Sequence, residues 1–327
     1  MKPYHYSAGE VNRPYYRLAE AVGCLKNHTT FQCLVDAPFE ALQQASNNIS
    51  LSEIYEIPPY TPVVDGDYIT ASPSELLLEG KTNGQYALIG NQANEGFDFV
   101  PNPAVHSQLF PLSINSSANL EAYVKYFFPL FSDANVEKIM SAYPPSLAKN
   151  FTNYDQEEIN IYQELANNIV GEAIFYCTSV WMAQTMEKSW RYQFSITPAL
   201  HSGDLSTYLP SYISSFGPGQ DVTPDFREAF LAGWINFITK YDPSNPYLGS
   251  AVSDNGTWPV YNNFQTPMVN FNTTGGELQE TYSLGGFNIT QAVGGTNDFS
   301  VIDEKGWQGG RGTRCDLWRS LGGLVPS

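Results

Sequence analysis

The chain has 327 residues, a formal net charge of −17, and 42% apolar and 14% aromatic residues. A surface this acidic repels phosphate backbones and argues against a nucleic-acid partner. No stretch approaches the ~18 uninterrupted apolar residues of a membrane span, so the composition is that of a soluble globular protein with no transmembrane segment. The carboxylates are scattered rather than gathered into a tail, and they read as solvated surface charge.

Residues 1–14 read as an irregular N-terminal segment, and residues 1–10 contain no apolar run that could act as a secretory leader. Helical spacing begins at Tyr15, where Tyr15, Leu18, Ala19 and Val22 share a face. A second helix is predicted over residues 31–45, with Leu34, Phe39 and Leu42 inward. After a loop rich in Pro and Asp, residues 72–80 read as a short capped helix stopped by Gly80. Residues 86–90 form a short apolar run of the kind found in buried parallel strands. Glu95 then falls just past the strand's C-terminal end, where open α/β sheets place their active-site groups.

Residues 118–190 read as mostly helical. Within them Ile161, Leu165, Ile169 and Ala173 form a core stripe, with Glu164, Asn167 and Asn168 on the other side. Residues 192–196 are the next predicted strand, and the loop after it carries His201. A helix over residues 226–240 puts Phe230, Trp234 and Phe237 on one face. From about Leu248 the chain turns to Gly, Asn and Thr with short strands, and a helix around Cys315, Leu317, Trp318 and Leu321 closes it. Helices alternating with short buried strands indicate an α/β architecture, taken as a single domain over residues 1–327.

Four cysteines are present, Cys24, Cys33, Cys177 and Cys315. No C-x-x-C occurs and there are only four histidines, so a zinc site has no basis, and no metal or cofactor is expected. An even count fits two disulfides in any of three connectivities. The close spacing of Cys24 and Cys33 favours a local loop, which leaves Cys177 with Cys315; four reduced, buried cysteines are the alternative. N-x-[ST] triplets start at Asn27, Asn48, Asn115, Asn150, Asn255, Asn272 and Asn288, a modest excess over the roughly four expected by chance. Together with the cysteines they point to an oxidising, secretory compartment. Secretory features without a leader imply that the natural N-terminus lies upstream of Met1.

The residue types for hydrolytic chemistry are few. Asn94-Glu95-Gly96 after a strand suits an acid that must orient a histidine, because the glycine lets the backbone turn and the carboxylate point inward. His201 opens the segment His201-Ser202-Gly203-Asp204-Leu205. His28 lies inside a sequon, His5 in the irregular start and His106 in a loop. The matching nucleophile would sit on a G-x-S-x-G elbow ahead of the acid, and no such motif occurs. Ser7-Ala8-Gly9 mimics the second half of one, but His5 stands where the first glycine should be, so Ser7 reads as a loop serine. Paired carboxylates for glycoside hydrolysis are available in any chain this acidic. The Gly-Gly pairs starting at Gly275, Gly285, Gly294, Gly309 and Gly322 precede no Lys-Ser/Thr and make no P-loop. The tail cations Lys305, Arg311, Arg314 and Arg319 are too sparse for a nucleic-acid patch.

In order along the chain, these segments resemble the type B carboxylesterase family, which includes cholinesterases and fungal esterases and lipases. The resemblance runs from about Tyr15 to Leu321. It is carried by residues 19–24 with Cys33-Leu34, by Pro62-Val63-Val64-Asp65-Gly66 with Pro73 and Leu76-Leu77, and by Gly90-Asn91 with Asn94-Glu95-Gly96. It continues in Phe175-Tyr176-Cys177, the His201 segment, Trp234-Ile235-Asn236-Phe237 with Asp242-Pro243, Trp258-Pro259-Val260-Tyr261 and Arg314-Cys315-Asp316-Leu317-Trp318.

The resemblance implies the C-terminal portion of an α/β-hydrolase fold, incomplete at its N-terminus. It implies Glu95 as triad acid and His201 as general base, the disulfides Cys24–Cys33 and Cys177–Cys315, and a small-molecule or lipid ester as substrate. The family's serine, elbow and glycine-rich oxyanion loop belong to a part absent from this sequence. The expectation is therefore a carboxylic-ester hydrolase of which this chain supplies the acid and histidine and is inactive alone. The alternative is a non-catalytic secreted interaction module of the same fold.

Overall fold

The computed structural model describes residues 9–25, 29–52, 58–101, 113–150, 160–209, 222–284, 287–292 and 294–325. Three helices open them: α1 (Gly9–Ala21), α2 (Thr30–Asp36) and α3 (Phe39–Ser50). Residues 9–14 are thus helical, not irregular. Pro14 lies inside α1, where its missing N–H takes away one helical hydrogen bond and its ring crowds the carbonyl of Glu10. The single helix expected over 31–45 is two. Pro38 has no N–H to donate and holds Ala37 extended (φ −69°, ψ 147°), which ends α2 and lets α3 start afresh. A disulfide joins Cys24 to Cys33 and clamps α1 against α2 around Ala19 and Leu34.

α4 (Pro73–Leu78) begins at a capping box. Ser72 accepts from the Glu75 N–H, and the Glu75 carboxylate accepts from the Ser72 N–H at 3.1 Å, which satisfies two donors that a helix start leaves orphaned. β1 (Tyr86–Gln92) follows. Then come α5 (Ser117–Phe127), α6 (Asp133–Ala142) and α7 (Ile161–Gly171). α7 continues through a π-turn at Glu172–Tyr176 into α8 (Cys177–Thr185). These helices share an apolar core that includes Leu120, Val124, Phe127, Ile139, Leu165 and Ile169.

β2 (Lys188–Phe194) and the short α9 (Leu205–Tyr208) come next, then α10 (Pro224–Lys240). The chain ends with β3 (Pro267–Thr274), β4 (Leu278–Leu284), β5 (Phe287–Ala292), β6 (Thr296–Asp303) and α11 (Trp307–Leu321). The main sheet has the order β1-β2-β3-β6. β1, β2 and β3 are mutually parallel, and β6 runs antiparallel to β3. β4 and β5 make a separate hairpin.

β2 shows why the sheet is buried. Its even-numbered residues Trp190, Tyr192 and Phe194 pack under α10 with Phe226 and Phe230. Its odd-numbered residues Arg191 and Gln193 face the other side and are equally buried. Alternating side chains of one strand point to opposite faces, so helices must cover both. Each large aromatic buried this way contributes about 1.5–3 kcal/mol. A mixed, mostly parallel sheet with flanking helices is the α/β-hydrolase type of architecture that was expected. The second disulfide joins Cys177 at the start of α8 to Cys315 in α11 across 138 positions.

The stripe on α7 needs a correction at one end and an addition on its other side. Leu165, Ile169 and Ala173 are buried, but Ile161 is 51% exposed. Glu164, Asn167 and Asn168, on the opposite side, are buried as well. From Gln163 onward α7 is therefore enclosed all round, and its polar side faces something other than water. None of the described helices is long and apolar enough to cross a membrane.

Candidate active site

β1 and β2 end side by side, with Gln92 in register with Phe194. The two loops leaving them stay together. The Ala93 N–H donates to the Phe194 carbonyl and the Asn94 N–H to that of Ala199, both at 3.0 Å. The Asn94 amide also donates to the Pro198 carbonyl at 2.7 Å. Ala199 and Ser202 adopt positive φ (51° and 66°), a region L-residues enter only where surroundings impose it. This path brings the seventh residue beyond β2 against the third residue beyond β1.

The result is a hydrogen bond of 2.6 Å between His201 Nδ1 and Glu95 Oε2. Glu95 Oε1 accepts from the Gln92 N–H at 2.7 Å, so both carboxylate oxygens are held. These are lengths of charge-assisted bonds. The Glu95 side chain is 10% exposed and that of His201 30%, so the acid is sealed while the imidazole keeps an open side. Phe99 and Phe175 pack on the ring, with centroids 5.1 and 4.8 Å away. Phe175 sits in the π-turn, and such one-residue bulges re-aim the side chains of a helix.

Burial alone would lower the His201 pKa. The Glu95 hydrogen bond and the charges of Glu95, Asp98 and Asp204 outweigh it, and the net shift is upward from 6.5. Asp204 lies one short turn beyond His201 and accepts from the Tyr192 hydroxyl at 3.0 Å. Burial is the main reason its pKa rises from 3.8 to about 6, with the Glu95 charge adding to it and the Tyr192 bond opposing it.

Behind Glu95 lies a buried polar network. Arg314 grips Glu172 through two bonds of 2.8 and 2.5 Å, and the Tyr143 hydroxyl donates to the same carboxylate at 2.5 Å. Arg311 donates to Asn168 Oδ1 and to the Ala93 carbonyl. Asn168 in turn donates to Glu164 at 2.9 Å. This is what the polar side of α7 faces. A second buried pair, Arg191 with Glu304 at 2.7 Å, crosses from β2 to the end of β6. Glu95, Asp98, Glu164, Glu172, Asp204 and Glu304 are thus not solvated surface charge, and Arg311 and Arg314 are not tail cations. Removing one partner of a buried pair leaves a stranded charge, so these are structural commitments.

Among the described residues no group of three or more His, Cys, Asp or Glu side chains is arranged to hold a metal ion. His5, Ser7, Asn27, His28 and His106 lie outside the described residues, as do the side chains of Asn150 and Asn288. Asn48, Asn115 and Asn255 are exposed, and Asn272 is half-buried in β3. Phe99, Phe175, Asp204 and Arg311 had no assigned role in the sequence reading. Only Asp204 carried a usable signal there, its place three residues after His201.

Residues 3–287 match the model of the Carboxylesterase family. "Secreted lipase 1" of Botryotinia fuckeliana (strain B05.10) is 26% identical over 84% of this chain and 45% of its own length. "Lipase 2" of Geotrichum candidum is 26% identical over 45% of this chain and 26% of its own. "Carboxylesterase patB" of Penicillium expansum is 25% identical over 67% of this chain and 38% of its own. The chain thus spans less than half the length of these curated relatives.

Proposed function

The chain belongs to the carboxylesterase family, and on that premise we propose that it serves the hydrolysis of carboxylic esters, with Glu95 as the orienting acid and His201 as the general base. The single observation that carries this is the 2.6 Å bond between His201 Nδ1 and Glu95 Oε2. With Nδ1 committed to the acid, Nε2 is the ring nitrogen that takes the serine proton and later returns it to the leaving alcohol. Glu95 holds the tautomer and stabilises the imidazolium, which fits the upward pKa shift of His201.

The sequence contains no G-x-S-x-G motif. In this reading the 327 residues supply acid and histidine, polypeptide beyond them supplies the serine and the oxyanion donors, and the chain alone is inactive. Loss of the nucleophile costs of order 10⁶ in kcat in a well-studied protease. The substrate is a small-molecule or lipid ester. Secretion is supported by the two disulfides and by the name of the Botryotinia relative. N-glycans at exposed Asn48, Asn115 or Asn255 belong to the same proposal.

The test compares the 327-residue chain with the same chain extended by its upstream coding sequence. Each is assayed with p-nitrophenyl acetate and a serine-directed phosphonate. The expected result is no turnover or labelling for the first. The second should show both, with turnover abolished by His201→Gln and greatly reduced by Glu95→Gln. Stoichiometric labelling of Ser7 in the shorter chain, or an extended chain indifferent to His201→Gln, sinks the proposal.

A further inference from the structure

We propose that Arg311 is a positioning residue for the acid: its guanidinium fixes the peptide that leads into Glu95. This rests on the reading of Glu95 and His201 given above. Gln308, Gly309 and Gly310 all have positive φ, so the chain turns sharply just before Arg311 and delivers that side chain inward. Two glycines make such a turn accessible. Four residues on, Cys315 is bonded to Cys177, which anchors this face of α11 one residue from Tyr176. The Arg311 guanidinium lies 5.1 Å from the centre of the Tyr176 ring and is 3% exposed.

Its hydrogen bonds separate two roles. Glu172 is already held by two bonds from Arg314 and one from Tyr143. The Arg311 bond to Glu172, at 3.3 Å, is the longest of that set. Its closer contacts are elsewhere, at 2.6 Å to Asn168 Oδ1 and 3.1 Å to the Ala93 carbonyl. The Ala93 N–H is meanwhile tied to the Phe194 carbonyl in β2. Ala93 is therefore pinned on both sides, by the sheet through its N–H and by Arg311 through its C=O. Asn94 and Glu95 follow with their direction set. Arg314, from the same helix turn, has its bonds to Glu172 and Gly309, so the two arginines divide the work of bracing the fold and aiming the acid.

The experiment follows the His201 Nδ1 proton by NMR in the full chain. In the wild type this proton is expected to resonate at low field and to exchange slowly with water. Glu95→Gln removes the low-field signal. Arg311→Gln speeds its exchange by roughly tenfold or more, the scale of one lost charge-assisted hydrogen bond. Arg311→Lys, which keeps the charge but replaces the planar fork with a single ammonium, gives an intermediate rate. Arg314→Gln destabilises the fold in urea but leaves the exchange near the wild-type rate. If Arg311→Gln does not fold, the contrast between Arg311→Lys and Arg314→Gln decides. The proposal is overturned if the Arg311 variants exchange like the wild type, or if Arg314→Gln accelerates exchange as much as they do. A low-field signal that survives Glu95→Gln is a different failure, because it removes the acid–histidine pair itself.

Discussion

Gly96 and Gly171 meet backbone to backbone where the acid loop crosses the end of α7. A Cβ on Gly96 would lie 1.8 Å from the Asn167 carbonyl oxygen and 2.6 Å from the Gly171 nitrogen. Gly96 itself has φ −81° and ψ −9°, which any residue adopts, so closeness and not backbone freedom demands glycine here. The pair lets the loop carrying Glu95 lie directly on a helix, and that helix is one wall of the site.

Gly96→Ala should therefore push the loop off α7. Overpacking of this kind costs about 1–3 kcal/mol, to be read as a lower urea midpoint. The same variant should lower the His201 pKa, because the displaced carboxylate no longer reaches the ring. A variant that loses stability while His201 titrates unchanged would mean that the contact braces the fold without aiming the acid.

Glu95→Gln tests the electrostatics directly. In the folded protein burial works against the imidazolium, while the Glu95 bond and the charges of Glu95, Asp98 and Asp204 favour it and prevail. The folded state then binds the His201 proton more tightly than the unfolded chain does. The stability this supplies is fully present below the unfolded value near 6.5 and is lost as pH rises through the higher folded value. Replacing the carboxylate with an amide leaves burial less opposed, so the His201 titration, followed by its imidazole carbon-bound protons, should move down. A titration that stays in place contradicts the assignment.

How much of this could be read in the sequence depended on how local the cause was. The Ser72–Glu75 capping box, the β1 strand and the stop at Gly80 each arise within a few residues, and sequence reasoning placed them. Pro38 was equally local, yet apolar spacing carried the predicted helix across it. Glu95 was placed beyond a strand end by local pattern, but its meeting with His201 depends on two parallel strands ending in register. Only the ordered resemblance to a family supplied that. The Arg311–Ala93 and Arg314–Glu172 contacts were invisible. Nothing near either arginine marks a partner more than a hundred positions earlier, and a glutamate on a helix reads as solvated until the far end of the chain covers it.

Asp204→Asn should stabilise the protein near neutrality. Burial disfavours the Asp204 carboxylate, and its pKa rises from 3.8 to about 6. A rise of that size corresponds to about 3 kcal/mol at about 1.4 kcal/mol per pH unit. The folded state retains the proton that the unfolded chain releases. Stability from this group is present below 3.8 and is lost as pH rises through about 6. Asparagine carries no charge to bury and still offers an oxygen to the Tyr192 hydroxyl. The difference in unfolding free energy between variant and wild type should thus grow from pH 4 to pH 7 and then level off, measured in urea at each pH. A difference that is flat across that range would show that Asp204 is solvated well enough to ionise normally.

The two disulfides should differ in what their loss costs. Cys24–Cys33 closes a loop across 9 positions and Cys177–Cys315 one across 138. On the chain-entropy model these are worth about 3 and about 5 kcal/mol. Both cysteines of the long bridge are buried almost completely, against Cys24 alone in the short one, so the cavities left by alanine add to the cost of losing the long bridge. The long bridge also anchors α11, whose Arg311 and Arg314 lie within one turn of Cys315 and reach Ala93 and Glu172. Its removal should therefore lower the urea midpoint more than removal of the short one, and it alone should hasten solvent exchange at His201 Nδ1. If the paired alanine variants of Cys24 and Cys33 cost as much and disturb His201 equally, the terminal helix does not hold the acid loop in the way the geometry implies.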